Sequence, residues 1–304
     1  MNLYLALANE GGGYVFKDNK NLMDVFLAGL ASRSYVMDLY SATPHSNKQI
    51  TDKVELYLAG QFPCNPKFKG ELCNNFQHKI YILESFYYIA DWMLPYINTS
   101  WNFMLDSGAF TFFSGDGNVD WIAYTKRYCK FINQQNIELF FELDIDVITS
   151  TKVSEELRHI IEQETGKQPI PVWRPMRGMD YWHRMIAEYP YIAISASGMF
   201  DSAWTRKPQS FKLINQMIAY AHKNNVEVHG LGYTSLPGLI KCNFDSVDST
   251  AWIYGNRGGY LYKFNGHNIV KIDAPAGLRL KARDAAIHNF SEWVKFQRYA
   301  KANL

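Results

Sequence analysis

The sequence predicts an α/β protein, a (β/α)8 TIM-like barrel spanning residues 1–304 as a single domain. Three observations carry this expectation. From residue 100 onward, short apolar runs alternate with amphipathic helical stretches. The runs are apolar at successive positions, as in strands covered on both faces. Eight strand candidates can be counted, which favours a closed barrel over the alternative, an open doubly wound sheet. The length of 304 residues lies at the top of the single-domain range, and no repeat or Pro/Ser linker divides the chain.

The elements follow in order. LYLALA (3–8) and VELYLAG (54–60) read as the first two strands, separated by a long irregular segment, and KIYILESFYYIADWM (79–93) reads as a strong helix. FMLDS (103–107) is a strand, followed by a helix over 119–136. IELFFELDID (137–146) is the next strand, and VSEELRHIIEQETG the next helix, closed by Gly166 as C-cap. PIPVW (169–173) precedes a helix around 179–189, and YIAISAS (191–197) precedes another at 209–224. VEVHGLG (226–232) leads to FDSVDST (244–250) as the last strand.

Composition narrows the class. Apolar residues make up 47% and charged residues 20%, the profile of a globular core. The net charge of +2 excludes a basic coat over the whole surface but not a local basic groove. Cys64, Cys73, Cys129 and Cys242 show no CxxC spacing, which points to a reduced, cytoplasmic compartment. No apolar run approaches about 18 residues, so no membrane span is expected. Aromatics reach 15%. They suit a large core with polar-tipped rings at its edge, or faces on which nucleobases stack.

In a parallel barrel, chemistry collects where strands end. Asp106 ends one strand and Asp144 and Asp146 the next, while Arg174 follows PIPVW. Ser195 to Ser197, then His229 and Gly230, and finally Asp248 end later strands. A single Asp after a strand reads as an N-cap or turn residue. Several converging carboxylates would instead repel, raising some pKa values and leaving others ionised, which divides acid/base from nucleophile. The GGG at 11–13 lacks the spacing of a phosphate loop, and HExxH, GxSxG and kinase signatures are absent. Cys64, Cys73 and His78 fit no usual zinc spacing, so no metal is expected.

Asp106-Ser107-Gly108-Ala109-Phe110 resembles the DSGGF motif of tRNA-guanine transglycosylases, (β/α)8 barrels that exchange guanine for a 7-deazaguanine base. Leu143-Asp144 resembles that family's guanine-reading strand end, and Ala193-Ile194-Ser195-Ala196 lies where it has AIGG. His229-Gly230-Leu231-Gly232 resembles MGVG, and Asp245-Ser246-Val247-Asp248-Ser249 resembles DMFDC, whose second aspartate is the nucleophile. The matches keep their order between residues 103 and 260. Residues 249–304 contain no cysteine, so the zinc subdomain of the tRNA enzymes is missing. SVDSTAW, HGLGYT and PIPVW look more like the DNA-guanine transglycosylases of bacteriophage and bacterial DNA modification.

The resemblance implies a transferase that exchanges guanine in DNA for a 7-deazaguanine such as preQ0. That base is a co-substrate; no cofactor is implied, and accessory modification proteins are compatible partners. Asp248 is the expected nucleophile, with Asp245 as fallback, and Asp106 the general acid/base. Asp144 accepts from the N1–H and N2–H2 edge of guanine, and Phe110 and His229 sandwich the base. Ser107, Gly108, Ser195, Ala196 and Gly230 complete the substrate contacts. The target nucleotide must be flipped out of the duplex. Arg257 is placed to meet phosphate, and the segment 275–304 concentrates Arg279, Lys281, Arg283, Lys295, Arg298 and Lys301 against Asp284 and Glu292. That segment reads as a solvated helix face or a DNA contact. The alternatives are a tRNA-guanine transglycosylase acting on RNA, a non-catalytic transglycosylase-like binding subunit, and an unrelated barrel hydrolase.

Overall fold

Seven parallel strands share one sheet in the computed structural model: β1 (Asn2–Leu7), β2 (Ile80–Ser85), β3 (Trp101–Asp106), β4 (Val172–Trp173), β5 (Tyr191–Ser195), β6 (Glu227–Leu231) and β7 (Ser246–Ser249). Their spatial order is β3-β2-β1-β7-β6-β5-β4. The structure describes residues 2–7, 80–89, 91–97, 99, 101–114, 119–195, 208–233, 242–249, 252, 260–273 and 282–303. The first strand bonds to the last of the set, with Tyr4 opposite Asp248, and β2 sits between β1 and β3, with Ser85 opposite Asp106.

Hydrogen bonding continues beyond the two outer strands of that order. Phe141 N–H donates to Leu105 O at 3.0 Å, and Leu105 N–H to Leu139 O at 2.9 Å. On the other side Ile170 N–H donates to Phe140 O at 2.7 Å, and Glu142 N–H to Ile170 O at 3.1 Å. Residues 139–142 therefore lie between β3 and the stretch leading into β4, with parallel bridges Leu105–Phe140 and Phe141–Ile170.

Period-2 alternation sorts the apolar residues into two layers. Tyr81, Leu83, Met104, Phe141, Ile170, Val172 and Ala193 pack together on one face. Ile82, Leu105, Phe140, Ile192, Ile194, Val228 and Val247 point the other way, into the larger core beneath the helices. Helices α1 (Trp121–Gln135), α2 (Thr151–Thr165), α3 (Gly178–Glu188) and α4 (Pro208–Lys223) follow successive strands. They cover that face with Tyr128 and Ile132, Leu157 and Ile161, Trp182 and Met185, and Ile214 and Ile218. Asp120 caps α1, accepting from Ala123 N–H at 2.9 Å. Gly166 ends α2 as expected, at φ 67°, a left-handed conformation that glycine adopts without penalty.

One expectation fails. Residues 80–85 are the strand β2, not the start of a helix over 79–93; three-residue 3-10 turns and the short helix Leu94–Ile97 follow. The run Ile80-Tyr81-Ile82-Leu83 is aromatic and β-branched. Tyr81 and Leu83 are buried in one layer and Ile82 in the other while the strand pairs with β1 and β3, and that packing outweighs a helical period. The run 54–60 lies outside the described residues.

The chain ends in an antiparallel hairpin, β8 (Tyr260–Phe264) and β9 (Ile269–Asp273), and helix α5 (Ala282–Asn303). Buried polar side chains of α5 satisfy backbone groups. Asn289 accepts from Tyr262 N–H at 2.7 Å and Glu292 from Phe264 N–H at 2.6 Å. The Gln297 amide donates to Tyr81 O at 3.0 Å, joining α5 to the start of β2. The cations here are engaged in packing: Lys295 pairs with Glu292 at 2.6 Å, and Lys301 lies over the Tyr81 ring at 4.8 Å. Burial lowers the pKa of Arg298. Gln297 and Lys301 thus sit at the start of β2, the end of that strand away from Asp106, while Arg279 and Lys281 lie outside the described residues. Among the described residues, no helix is long and apolar enough to cross a membrane.

Candidate active site

Three strand-end carboxylates share one electrostatic field. Asp106 closes β3 and accepts from Gly108 N–H at 2.9 Å. Burial pushes its carboxyl up to about 7, and Asp144 and Asp248 both add repulsion. The side chains that the sequence places at the ends of β3, residues 137–146 and β7 are therefore brought together. Capping does not account for the set. Asp144 makes no cap bond, and Asp248 bonds to a different strand's loop.

The DSG turn is built from its backbone outward. Gly108 adopts φ +77°, and a Cβ there would sit 2.7 Å from Ser85 Oγ and 2.9 Å from Tyr87 Cβ. Only glycine delivers that N–H to Asp106 without a clash. Ser107 is fully buried; its carbonyl accepts from Tyr124 O–H at 2.6 Å and its Oγ from Ala109 N–H at 3.4 Å. It braces the turn against α1 instead of presenting a group to substrate, correcting its expected contact. Phe110 belongs to the 3-10 segment Ala109–Ser114. Glu84, one position from the end of β2, is sealed and feels Asp106; burial holds its carboxyl well above the usual range.

Asp144 does not stand alone. Its Oδ2 is paired with Arg174, which also donates to Asp144 O at 2.9 Å and to Asp146 Oδ1 at 2.8 Å. Arg177 bonds Asp146 Oδ2 and Glu142 Oε1, each at 2.7 Å, and Glu142 Oε2 accepts from Arg158 at 3.1 Å. Three acids and three arginines thus form one buried network behind the site. Burial lifts Asp144 to about 6, and the Arg174 guanidinium is the main opposing influence. Its Oδ1 has no hydrogen-bond partner among the described residues. Of this network, the sequence marks Asp144, Asp146 and Arg174 as strand-end charges and gives a role to Asp144 alone; Glu142, Arg158 and Arg177 are missed. The available signal was charge at four positions of an apolar ladder, Glu142, Asp144, Asp146 and Arg174.

Asp248 is 6% exposed. Its Oδ1 accepts from Gly232 N–H at 2.5 Å and lies 3.3 Å from His229 Nε2. Both bonds fall on one oxygen, so Oδ2 is left without a protein partner among the described residues. Asp245 instead precedes β7, where it accepts from Val228 N–H at 2.7 Å and meets His222 at 2.8 Å. Alternation and position put it at the opposite end of the strand, and the fallback nucleophile is withdrawn.

His229 is 0% exposed, and its ring lies 5.2 Å from Phe141. A ring covered in this way has no open face for a base, so the expected sandwiching role is corrected to one beneath Asp248. Gly230 points the other way: a Cβ would sit 2.9 Å from Tyr233 Cβ and 3.0 Å from Val247 Cγ1. Its smallness serves packing under the helices. Ser195 ends β5 and is buried. Ala196, Arg257, Cys64, Cys73 and His78 lie outside the described residues.

No family model matches the chain, and no curated protein matches it. One similar solved structure is a xylose isomerase-like TIM barrel protein from Mycobacterium smegmatis, in complex with magnesium. It is 9% identical and aligns over 61% of this chain and 90% of its own, with a TM-score of 0.26. That similarity is too low to bear on the fold, so the α/β class rests on the strand pairing described above.

Proposed function

We propose that the chain is a closed (β/α)8 barrel that acts as a DNA-guanine transglycosylase, exchanging guanine for a 7-deazaguanine base. Continuous pairing from β3 through residues 139–142 to Ile170 supports closure, since it joins the two outer strands of the seven. The observation that carries the chemistry is the raised carboxyl of Asp106, near 7, within the field of Asp144 and Asp248. Nucleic acid and guanine as substrates rest on the ordered motifs of residues 103–260, and DNA on the SVDSTAW, HGLGYT and PIPVW segments.

In this reading Asp248 Oδ2 attacks C1′ of an extruded deoxyguanosine, forming an ester as the C1′–N9 bond breaks. Guanine leaves with that electron pair and takes a proton from the Asp106 carboxyl. The incoming 7-deazaguanine returns a proton from its N9 to Asp106, and N9 attacks C1′. The ester bond breaks and Asp248 regains its charge. Two inversions retain the configuration. A group near 7 serves both proton transfers. Hydrogen bonds to Oδ1 hold the Asp248 carboxyl in place and leave Oδ2 for the attack. Asp144 Oδ1 accepts from the guanine edge while Arg174 holds Oδ2, and adenine offers no matching donor pair.

Incubating the full chain with guanine-labelled duplex DNA, tRNA and preQ0 tests the reading. Release of guanine from DNA, and a denaturation-resistant DNA adduct lost in Asp248→Asn, are expected. Exchange confined to tRNA would overturn the choice of DNA. An adduct that persists in Asp248→Asn would eliminate the nucleophile.

A further inference from the structure

Beneath Asp248 a line of polar groups crosses three strands. The Tyr191 hydroxyl on β5 contacts Ser246 Oγ on β7. Ser246 Oγ lies 2.5 Å from His229 Nδ1 on β6, and His229 Nε2 lies 3.3 Å from Asp248 Oδ1, two positions along β7 from Ser246. The sheet register makes this possible: His229 is opposite Ala193 on one side and Ser246 on the other, and Ser246 and Asp248 share a face. All of this lies where the surrounding face is apolar, with Phe141 against the imidazole.

The direction of the protons follows from the donors and acceptors. An ionised carboxylate only accepts, so the hydrogen bond to Asp248 requires the proton on Nε2. The neutral ring then accepts at Nδ1, and Ser246 donates to it. Ser246 Oγ in turn accepts from Tyr191, whose phenol burial keeps protonated. Every donor points along the chain toward Asp248. A ring protonated only at Nδ1 would set a lone pair against the carboxylate. An imidazolium would take the Ser246 lone pair and turn its hydroxyl back toward Tyr191.

We propose that His229 is a positioning residue for Asp248: a neutral imidazole, protonated at Nε2 and oriented by Ser246 and Tyr191, that fixes Oδ1 and leaves Oδ2 for substrate. The role of Asp248 as nucleophile rests on the transglycosylase reading; the hydrogen-bond chain itself does not. Ser246→Ala and Tyr191→Phe break the chain with little change of volume.

Nitrogen NMR of the histidine-labelled full chain, with His229 assigned through His229→Gln, reads the tautomer directly. The Nε2–H form is expected in the unaltered protein, with mixing of tautomers in Ser246→Ala. Base exchange by His229→Ala should fall roughly tenfold to a hundredfold in kcat, the scale of one hydrogen bond to a charged group, with KM for the base unchanged, and Ser246→Ala should lose less. His229→Gln, whose amide still donates to Oδ1, should recover most of the activity lost in His229→Ala. An imidazolium or an Nδ1–H ring in the unaltered protein overturns the proposal, as does a Gln variant no better than Ala. The expected tautomer together with no exchange on any guanine substrate supports the positioning chain and refutes the transglycosylase reading.

Discussion

Replacing Asp106 by Asn should make the protein more stable, and only where Asp106 would be charged. Its carboxyl moves from an ordinary 3.8 to about 7 in the folded chain, through burial and the repulsion of Asp144 and Asp248. At 1.36 kcal/mol per tenfold change in proton affinity, the sealed limit is roughly 4 kcal/mol; partial exposure and solvent screening bring it to about 2. The sign follows from proton linkage. The folded state binds this proton more tightly than the unfolded state, so the cost is absent below about pH 4, grows as pH rises, and levels off above about pH 7. Asn has nearly the same shape and keeps an oxygen for Gly108 N–H. Denaturant midpoints for wild type and Asp106→Asn, measured from acid to mild alkali, should coincide at the acid end and separate by about 2 kcal/mol at the alkaline end. A separation that is constant with pH, or reversed, would refute the claim that Asp106 is strained by burial and like charge.

Other expectations follow from the same geometry. The pH profile of base exchange should be a narrow bell, falling below about 6 as Asp144 is protonated and above about 7 as Asp106 loses its proton, read from initial rates of guanine release. Arg177→Met leaves Glu142 and Asp146 short of a buried cation and should cost about 3–5 kcal/mol by urea unfolding. Gly230→Ala forces a methyl against Tyr233 and Val247 and should cost about 1–3 kcal/mol, while Asp106 titrates as before by carbon NMR. Lys301→Gln should lose about 0.5–1 kcal/mol of stability and leave the salt dependence of DNA binding unchanged in a filter assay, because that ammonium is occupied at Tyr81.

What the sequence made legible was local. Carboxylates at the ends of apolar runs pointed to Asp106, Asp144 and Asp248, because a charge seldom closes a buried strand without a role. Gly166 and the helices beside it followed from caps and period. The misreading at residues 80–85 arose because Ile82, Phe86 and Met93 also suit a helical spacing, and only neighbours far away in sequence decide between the two. The same distance hid the Glu142–Arg177 pair, 35 residues apart and so without a local pattern. His229 was placed on the correct strand; that Phe141 covers it depends on how the sheet curves.

The pairing of residues 2–5 with 246–249, and of Tyr81 with Gln297, has a consequence for biogenesis. In a nascent chain β1 can pair with β2 once residue 85 has been made, but its other edge stays open until residues 246–249 follow, and Tyr81 waits longer still for Gln297. Loop closure over such separations is slow. Fragments cut before residue 246 would leave the β7-facing edge of β1 open, and chaperone dependence of synthesis should rise with truncations that remove residues 246–249.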